Sequence, residues 1–286
     1  MPTMSLLFYG LILPGIVAGV FTWIGRRFRR SAAASAGKGI GFALLAGYVG
    51  LVDWPAWPPN EATQWLVLIA PLLGGVVGLS AWWSHRPVLR WGLRFITTAV
   101  LLFLLLGPMR EYHWTSTQGV VWMVALGAVV LWLWRSTETL TQRCRSVGLV
   151  MALLSVAIFS AIALAASGSI LLGQMAGMLA AGLGSTLIFS AGALGQTVRS
   201  GAATVTVILL GAVIGLGYFY SALPASSALL LVAAMCTPWV VEQARFETLD
   251  GAWRMLFQVS AAAAPALFAA GLAFWLTMSS HSSSYY

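Results

Sequence analysis

Apolar runs long enough to cross a lipid bilayer follow one another along almost the whole chain. The 286 residues are 60% hydrophobic and only 8% charged, whereas a soluble domain carries about a quarter charged residues. So few charges could not cover a surface that faces water. The sequence therefore predicts an all-α fold, a polytopic transmembrane helix bundle in which lipid surrounds nearly every segment.

Ten helices are predicted, with both the N-terminus and the C-terminus outside. The basic residues that follow the first apolar run set this orientation, because Lys and Arg are retained on the cytoplasmic side. With segment 26–38 inside, 14 of the 15 Lys and Arg residues fall on the cytoplasmic side, and only Arg110 lies outside. The predicted spans are 4–25, 34–52, 64–83, 93–107, 118–134, 147–166, 170–194, 202–222, 226–241 and 255–278.

The basic residues also indicate which partners to expect. They lie in short loops rather than on one basic face, so the net charge of +8 predicts contacts with membrane lipids, including anionic lipid at the cytoplasmic face, and no nucleic acid. Short loops and this charge bias suit a multi-pass protein of a bacterial inner membrane. Phe246, Leu249 and Trp253 share a helical face, which predicts a short interfacial helix within 242–254.

No motif in the chain indicates catalysis, a metal site or a cofactor. The sequence contains no His-Glu-x-x-His metal motif, no paired intramembrane aspartates and no Gly-x-Ser-x-Gly elbow. Two of the three histidines, His85 and His113, are predicted on opposite faces of the membrane, so they could not share one metal or haem. We therefore expect no enzyme, no metal and no cofactor.

The chain is predicted to be a single integral membrane domain with two unlike halves. Residues 1–134 hold 11 of the 14 tryptophans, whereas residues 146–286 are rich in Ala, Gly and Ser. Small residues let helices approach closely in lipid, so we expect the last five helices to form a tight inner bundle. Five helices plus five suggests a 5+5 inverted arrangement, as in many transporters, although the halves share no recognisable sequence similarity.

The seventh predicted helix is the most polar, and its side chains are candidates for a solute pathway. These candidates are Gln174, Ser185, Ser190 and Gln196. They could equally make structural hydrogen bonds between helices. Because no ionisable residue lies in the middle of a predicted helix, a proton pump is disfavoured and a neutral or weakly polar solute is favoured. Gly-x-x-x-Gly spacings, such as Gly211 and Gly215, indicate close helix packing or a hinge.

The outer loops combine aromatic residues with both signs of charge, which suits a protein contact. The candidates are Trp54, Trp57, Arg110, Glu111, His113 and Trp114. An aromatic belt at the lipid interface explains the same residues. Two functions follow: a permease-like carrier of a small neutral or weakly polar solute, or a non-catalytic subunit or scaffold of a larger complex with membrane-protein partners.

Overall fold

The structure is a computed structural model, and it describes residues 2–27, 32–83, 85–143, 147–190, 195–243 and 251–282. Within these ranges all regular secondary structure is helical, and ten helices are long and apolar enough to cross a membrane. This confirms the predicted polytopic helix bundle. The first helix, α1, contains a π-helical stretch, Phe8–Ile12, between Pro2–Leu7 and Leu13–Arg27. The others are α2 Ala32–Val52, α3 Ala62–Trp82, α4 Pro87–Leu105, α5 Ser116–Arg143, α6 Val147–Ala166, α7 Ile170–Phe189, α8 Gly195–Tyr220, α9 Ala225–Gln243 and α10 Gly251–Ser282.

Three helices extend at least six residues beyond their predicted ends: α4, α5 and α8, of which α8 begins at Gly195 instead of residue 202. Helix α4 begins at Pro87, so the segment predicted as a loop through residue 92 is helical, and α5 continues past Trp134 to Arg143. Hydropathy marks the depth of a residue in lipid and not the end of a helix, which explains these errors. A short helix, Gly107–Tyr112, follows α4. Phe246 and Leu249 of the predicted interfacial helix lie outside the described residues.

The ends of the helices that carry basic residues lie together, and we call this the basic end. Gln196 at the start of α8 donates to the backbone oxygen of Thr141 near the end of α5, at 3.2 Å. Gly201 of α8 packs against the backbone of Ala33 at the start of α2. The pattern of alternating, antiparallel helices therefore agrees with the charge bias, while the compartment that this end faces stays a prediction.

Helix α8 is the centre of the bundle. About 72% of its most apolar stretch is buried, and it contacts α2, α3, α5, α6, α7 and α9. Helix α2 is also inside, with half of its apolar stretch buried between α1, α3, α7 and α8. The expectation that the last five helices form the inner bundle is thus only partly right, because α10 is peripheral and α2 takes an inner position.

Small residues explain how α2 enters the core. A Cβ added at Gly41 would lie 2.2 Å from the backbone oxygen of Ala70 on α3, and one added at Gly74 would lie 2.2 Å from the backbone nitrogen of Lys38. Only glycine permits such backbone contact between two helices in lipid. The packing interpretation of the glycine spacing is therefore confirmed for this helix pair.

The two halves pack differently. In the second half α6 lies along α10, its last helix, whereas within the described residues α1 makes no comparable contact with α5 and packs instead on α2 and α7. An inverted repeat would give equivalent neighbours in both halves. The helix contacts give this equivalence no support, so the 5+5 arrangement remains a prediction from helix number alone.

Candidate functional site

The four residues predicted to line a solute pathway lie at different depths and on two helices. Ser185 donates to the backbone oxygen of Gly15 on α1 at 2.6 Å, and Ser190 donates to Leu187 within its own turn at 3.1 Å. Gln174 is half-buried on α7, and Gln196 belongs to α8 rather than to the seventh helix.

Only Ser185 of these four lines a large cavity, an open apolar groove of about 630 Å³ between α1 and α7. Ser185, Ser190 and Gln196 each donate to a backbone carbonyl; the bonds of Ser185 and Gln196 join two helices, whereas that of Ser190 stays within its own turn.

The residues predicted to contact a partner divide into two groups. Trp54 and Trp57 are 69% and 83% exposed in the loop before α3. Arg110, Glu111 and His113 are also exposed, in the connection between α4 and α5, and the Arg110 guanidinium lies 4.2 Å from the ring centre of Phe103. Within the described residues no hydrogen bond, ion pair or ring contact joins the two groups.

Trp114 differs from the other outer candidates because it packs inside the protein. Its ring lies 6.2 Å from the ring of Trp122 on α5, nearly parallel to it, and 5.2 Å from the ring of Phe219 on α8. Tyr218 completes the group, 6.2 Å from Trp122. Trp114 thus belongs to an aromatic cluster that joins α5 to the end of α8.

Beneath this aromatic cluster lies an apolar cavity of about 240 Å³ between α5, α8 and α9, which we call the α5/α8/α9 cavity. A Cβ added at Gly211 or Gly215 would meet no atom within 4 Å, so these glycines leave space instead of closing a helix contact. This separates them from Gly41 and Gly74. The residues that line the cavity include Trp122, Val130, Gly211, Gly215, Phe219 and Leu229.

Aromatic contacts border the cavity at both ends, from α5 to α8 at the outer end and from α5 to α9 at the other. Trp122 and Phe219 lie 5.4 Å apart at the outer end, and Trp132 meets Trp239 at 5.9 Å towards the basic end. Helix α5 is peripheral, because only about 11% of its apolar stretch is buried. The cavity therefore lies between the inner helix α8 and two helices, α5 and α9, whose apolar stretches are mostly not buried.

A second set of side chains, which we call the arginine cluster, lies where the start of α4 meets the end of α5. Glu138 accepts hydrogen bonds from the Nη2 atoms of both Arg90 and Arg94, and its other oxygen accepts from Trp134 Nε1 at 3.1 Å. Arg135 completes the cluster, with its guanidinium 5.5 Å from the ring centre of Trp91. These ionic groups lie near the ends of the spanning helices, so the expectation that no ionisable residue lies in the middle of a helix is not contradicted by them.

Arg94 is the most enclosed of these charges. Its side chain is 3% exposed, and its guanidinium lies 5.3 Å from the ring centre of Trp91 and 5.6 Å from that of Trp134. Stacking on indole rings stabilises a cation that has left water. Within the described residues, no group of three or more His, Cys, Asp or Glu side chains lies close enough to hold a metal ion.

Both features carry signals that the sequence analysis did not use. Pro87 is a favourable first residue for a helix, and a helix that begins there puts Arg90 and Arg94 on one face. Phe219 follows Gly215 by one turn, so an aromatic ring and a space-leaving glycine share a face of α8. The partner helix for each face could not be read from the chain.

Comparison with known proteins adds no assignment to this geometry. No family model matches the chain, and no curated protein or solved structure matches it.

Proposed function

We propose that this multi-pass membrane protein is a carrier of a small, uncharged, weakly polar solute that enters the α5/α8/α9 cavity from the bilayer. The observation that carries the proposal is the cavity itself, which lies beside the central helix α8 and which two glycines of that helix leave open. This keeps the solute class expected from the sequence. It moves the proposed site from the seventh helix to the eighth.

The size and lining of the cavity define the solute. At about 240 Å³ it is slightly smaller than the about 300–1,000 Å³ of typical small-molecule sites. The only polar atoms that its aromatic residues offer are the indole nitrogen of Trp122 and the hydroxyl of Tyr218. An uncharged molecule with an aromatic or branched apolar body and one hydrogen-bonding group suits these walls.

The position of the cavity suits a carrier. Gly211 lies in the central part of α8, so the cavity reaches from the outer aromatic cluster towards the middle of the predicted bilayer. Sites near the midplane serve alternating access, because a modest movement of one wall exposes them to either side. We assign that wall to helix α5, since it is the least buried of the ten spanning helices that the structure describes.

Photolabelling of the full chain in proteoliposomes tests the binding site. The probe is an apolar phenyl-diazirine, and the labelled residues are mapped by mass spectrometry. We expect labelling of residues 122–133 and 211–219 in the wild type, and loss of that labelling in Gly215→Leu. An added side chain at Gly215 meets open space, so the variant folds and fills the cavity.

The matched control is Gly177→Leu, which also adds a side chain at a glycine of a spanning helix with open space around it. It should keep the wild-type labelling, because Gly177 does not line the cavity. Labelling that is uniform around all lipid-facing helices, or that survives in Gly215→Leu, would refute a specific site.

Transport is tested with phenylnaphthylamine, a neutral dye that fluoresces in apolar surroundings. Cells that produce the wild type should extrude the dye faster than cells that produce Gly215→Leu, while Gly177→Leu should behave as the wild type. Equal extrusion by all three variants would contradict the carrier proposal.

The alternative function, a non-catalytic subunit or scaffold, remains a prediction. Purification from the native membrane under gentle conditions separates the two functions. A carrier that acts alone elutes without other proteins, whereas a subunit elutes with companions in fixed stoichiometry.

A further inference from the structure

The arginine cluster carries more positive charge than the described residues around it can balance. Arg90, Arg94 and Arg135 share a single carboxylate, that of Glu138, which leaves two positive charges uncompensated. The Nε atoms of Arg90 and Arg94 are buried and have no acceptor. Arg94 is the enclosed charge and is paired with Glu138, whereas Arg90 is partly exposed and Arg135 is exposed, so an additional anion can reach the positive charge that remains.

An apolar groove leads from this cluster along the interface of α4 and α5, and we call it the α4/α5 groove. It has a volume of about 370 Å³, and Phe95, Leu102, Val124, Gly127 and Leu131 line it. A Cβ at Gly127 would approach only Leu102, at 3.6 Å, so the groove is open at its middle.

One polar group lies in this groove without a partner. Thr98 lines it, is 3% exposed, and its hydroxyl makes no hydrogen bond, whereas the neighbouring Thr97 donates to the backbone oxygen of Leu93 at 2.7 Å. A threonine hydroxyl in a helix commonly donates to the backbone oxygen four residues earlier, as that of Thr97 does. Five buried hydroxyls within the described residues have no partner, and Thr98 is the one of these five that lines this groove.

These groups follow one another along a single face of α4. Arg90, Arg94, Thr98 and Leu102 are spaced by four residues, which places each about 6 Å further from the basic end than the one before. The order from the end inward is positive charge, unpartnered hydroxyl, then apolar groove. An anionic phospholipid presents its phosphate, ester carbonyl and acyl chain in the same order.

We propose that the α4/α5 groove binds one anionic glycerophospholipid, with its phosphate at the arginine cluster and an acyl chain in the groove. Arg90 and Arg135 keep part of their guanidinium surface accessible, so they contact the phosphate beside the pair of Glu138 with Arg94. The Thr98 hydroxyl donates to an ester carbonyl. Anionic lipids are enriched in the cytoplasmic leaflet, which the basic end is predicted to face.

Native mass spectrometry of the detergent-solubilised full chain measures this binding directly. The added lipids are phosphatidylglycerol, which carries a net charge of about −1, and the zwitterionic phosphatidylcholine with the same acyl chains. Glycerol phosphate tests the headgroup without a chain. We expect one tightly held phosphatidylglycerol per protein, and weak binding of the other two.

Three variants remove separate parts of the site. Arg135→Gln removes one exposed charge and should weaken phosphatidylglycerol binding about fivefold, from the usual attraction of one basic residue to an anionic membrane. Gly127→Leu occupies the groove and should abolish tight binding. Thr98→Val keeps the shape of the side chain but removes its hydroxyl, so it should weaken binding of an ester lipid more than of an ether lipid.

Two variants serve as matched controls, and both should bind phosphatidylglycerol as the wild type does. Arg110→Gln removes a charge from the short helix that follows α4, and Thr97→Val removes the hydroxyl of the neighbouring threonine. Equal binding of phosphatidylglycerol and phosphatidylcholine would overturn the proposal. Tight binding of glycerol phosphate, in both the wild type and Gly127→Leu, would overturn the proposed lipid and show a site for soluble anions. None of the residues changed in these variants lines the α5/α8/α9 cavity, although two of them lie on helix α5, which borders both sites. The outcome is therefore independent of the carrier proposal.

Discussion

Replacing Glu138 with Gln should destabilise the protein more than any other loss of one carboxylate within its described residues. Among the residues that the structure describes, Glu138 is the only acidic partner of Arg90 and of Arg94. The substitution preserves the volume of the side chain and an acceptor for the Trp134 indole. What it removes is the negative charge beside the Arg94 side chain, which is 3% exposed.

The size of the effect follows from this enclosure. Leaving a buried charge without its partner costs about 3–5 kcal/mol. Because the Arg90 side chain is 24% exposed, water screens its interaction with Glu138. We therefore expect Glu138→Gln to lower the free energy of unfolding by about 3 kcal/mol, at the lower end of that range. This corresponds to a shift of about 100-fold in the equilibrium between folded and unfolded protein.

Unfolding by SDS titration in mixed micelles without added lipid, followed by tryptophan fluorescence, measures the free energy. Glu111→Gln, an exposed carboxylate at the other end of α4, should change it by less than about 0.5 kcal/mol. The double variant Glu138→Gln with Arg94→Met should recover more than half of the loss, since it removes the stranded charge. A Glu138→Gln protein as stable as the wild type would refute the buried pair.

Three further predictions test the packing and the topology. Gly41→Ala should lower the free energy of unfolding by about 3 kcal/mol in the same titration, because its Cβ would meet backbone on α3. Gly177→Ala, whose Cβ meets open space, should be neutral or slightly stabilising. Equal effects of the two substitutions would contradict the close α2–α3 contact. Ser185→Ala should lower the free energy of unfolding by only about 0.6 kcal/mol. It should leave phenylnaphthylamine extrusion unchanged, since Ser185 lies outside the α5/α8/α9 cavity. Loss of extrusion would instead place the solute path along α7. Reporter fusions after Arg86 should be cytoplasmic and those after Trp57 external, and the reverse pattern would invert the predicted orientation.

The helices whose ends could be read from the chain are those bounded by turns that contrast with their apolar interiors. Helix α6 was predicted at its observed ends, Val147–Ala166, because Ser167 and Gly168 follow the apolar run directly. Helix α5 was predicted too short because polar residues after Trp134 continue a helix beyond the apolar region. The prediction followed solvent preference, and helix ends depend on hydrogen bonds and caps.

The candidate sites were harder to read because both depend on contacts between distant segments. Ser185 was chosen for its polarity, yet polarity does not show whether a hydroxyl is free to bind a solute or is bonded to another helix, as Ser185 is to Gly15. Gly211 and Gly41 are both glycines in apolar helices, but only Gly41 touches a neighbouring backbone. A spacing of small residues shows that close approach is permitted and not whether it occurs.

The sequence by itself determined that lipid surrounds most of the chain, how many helices are long and apolar enough to cross it, and that basic residues gather at one end of the helices. Each of these depends on the free energy of transferring one segment or one side chain between water and lipid. Tertiary structure decided which helix lies at the centre, which glycines leave a cavity, and that Glu138 holds Arg90 and Arg94. In lipid the apolar faces of all ten helices are nearly equivalent. Shape and a few polar contacts then select the neighbours, and those depend on pairs of residues far apart in the chain.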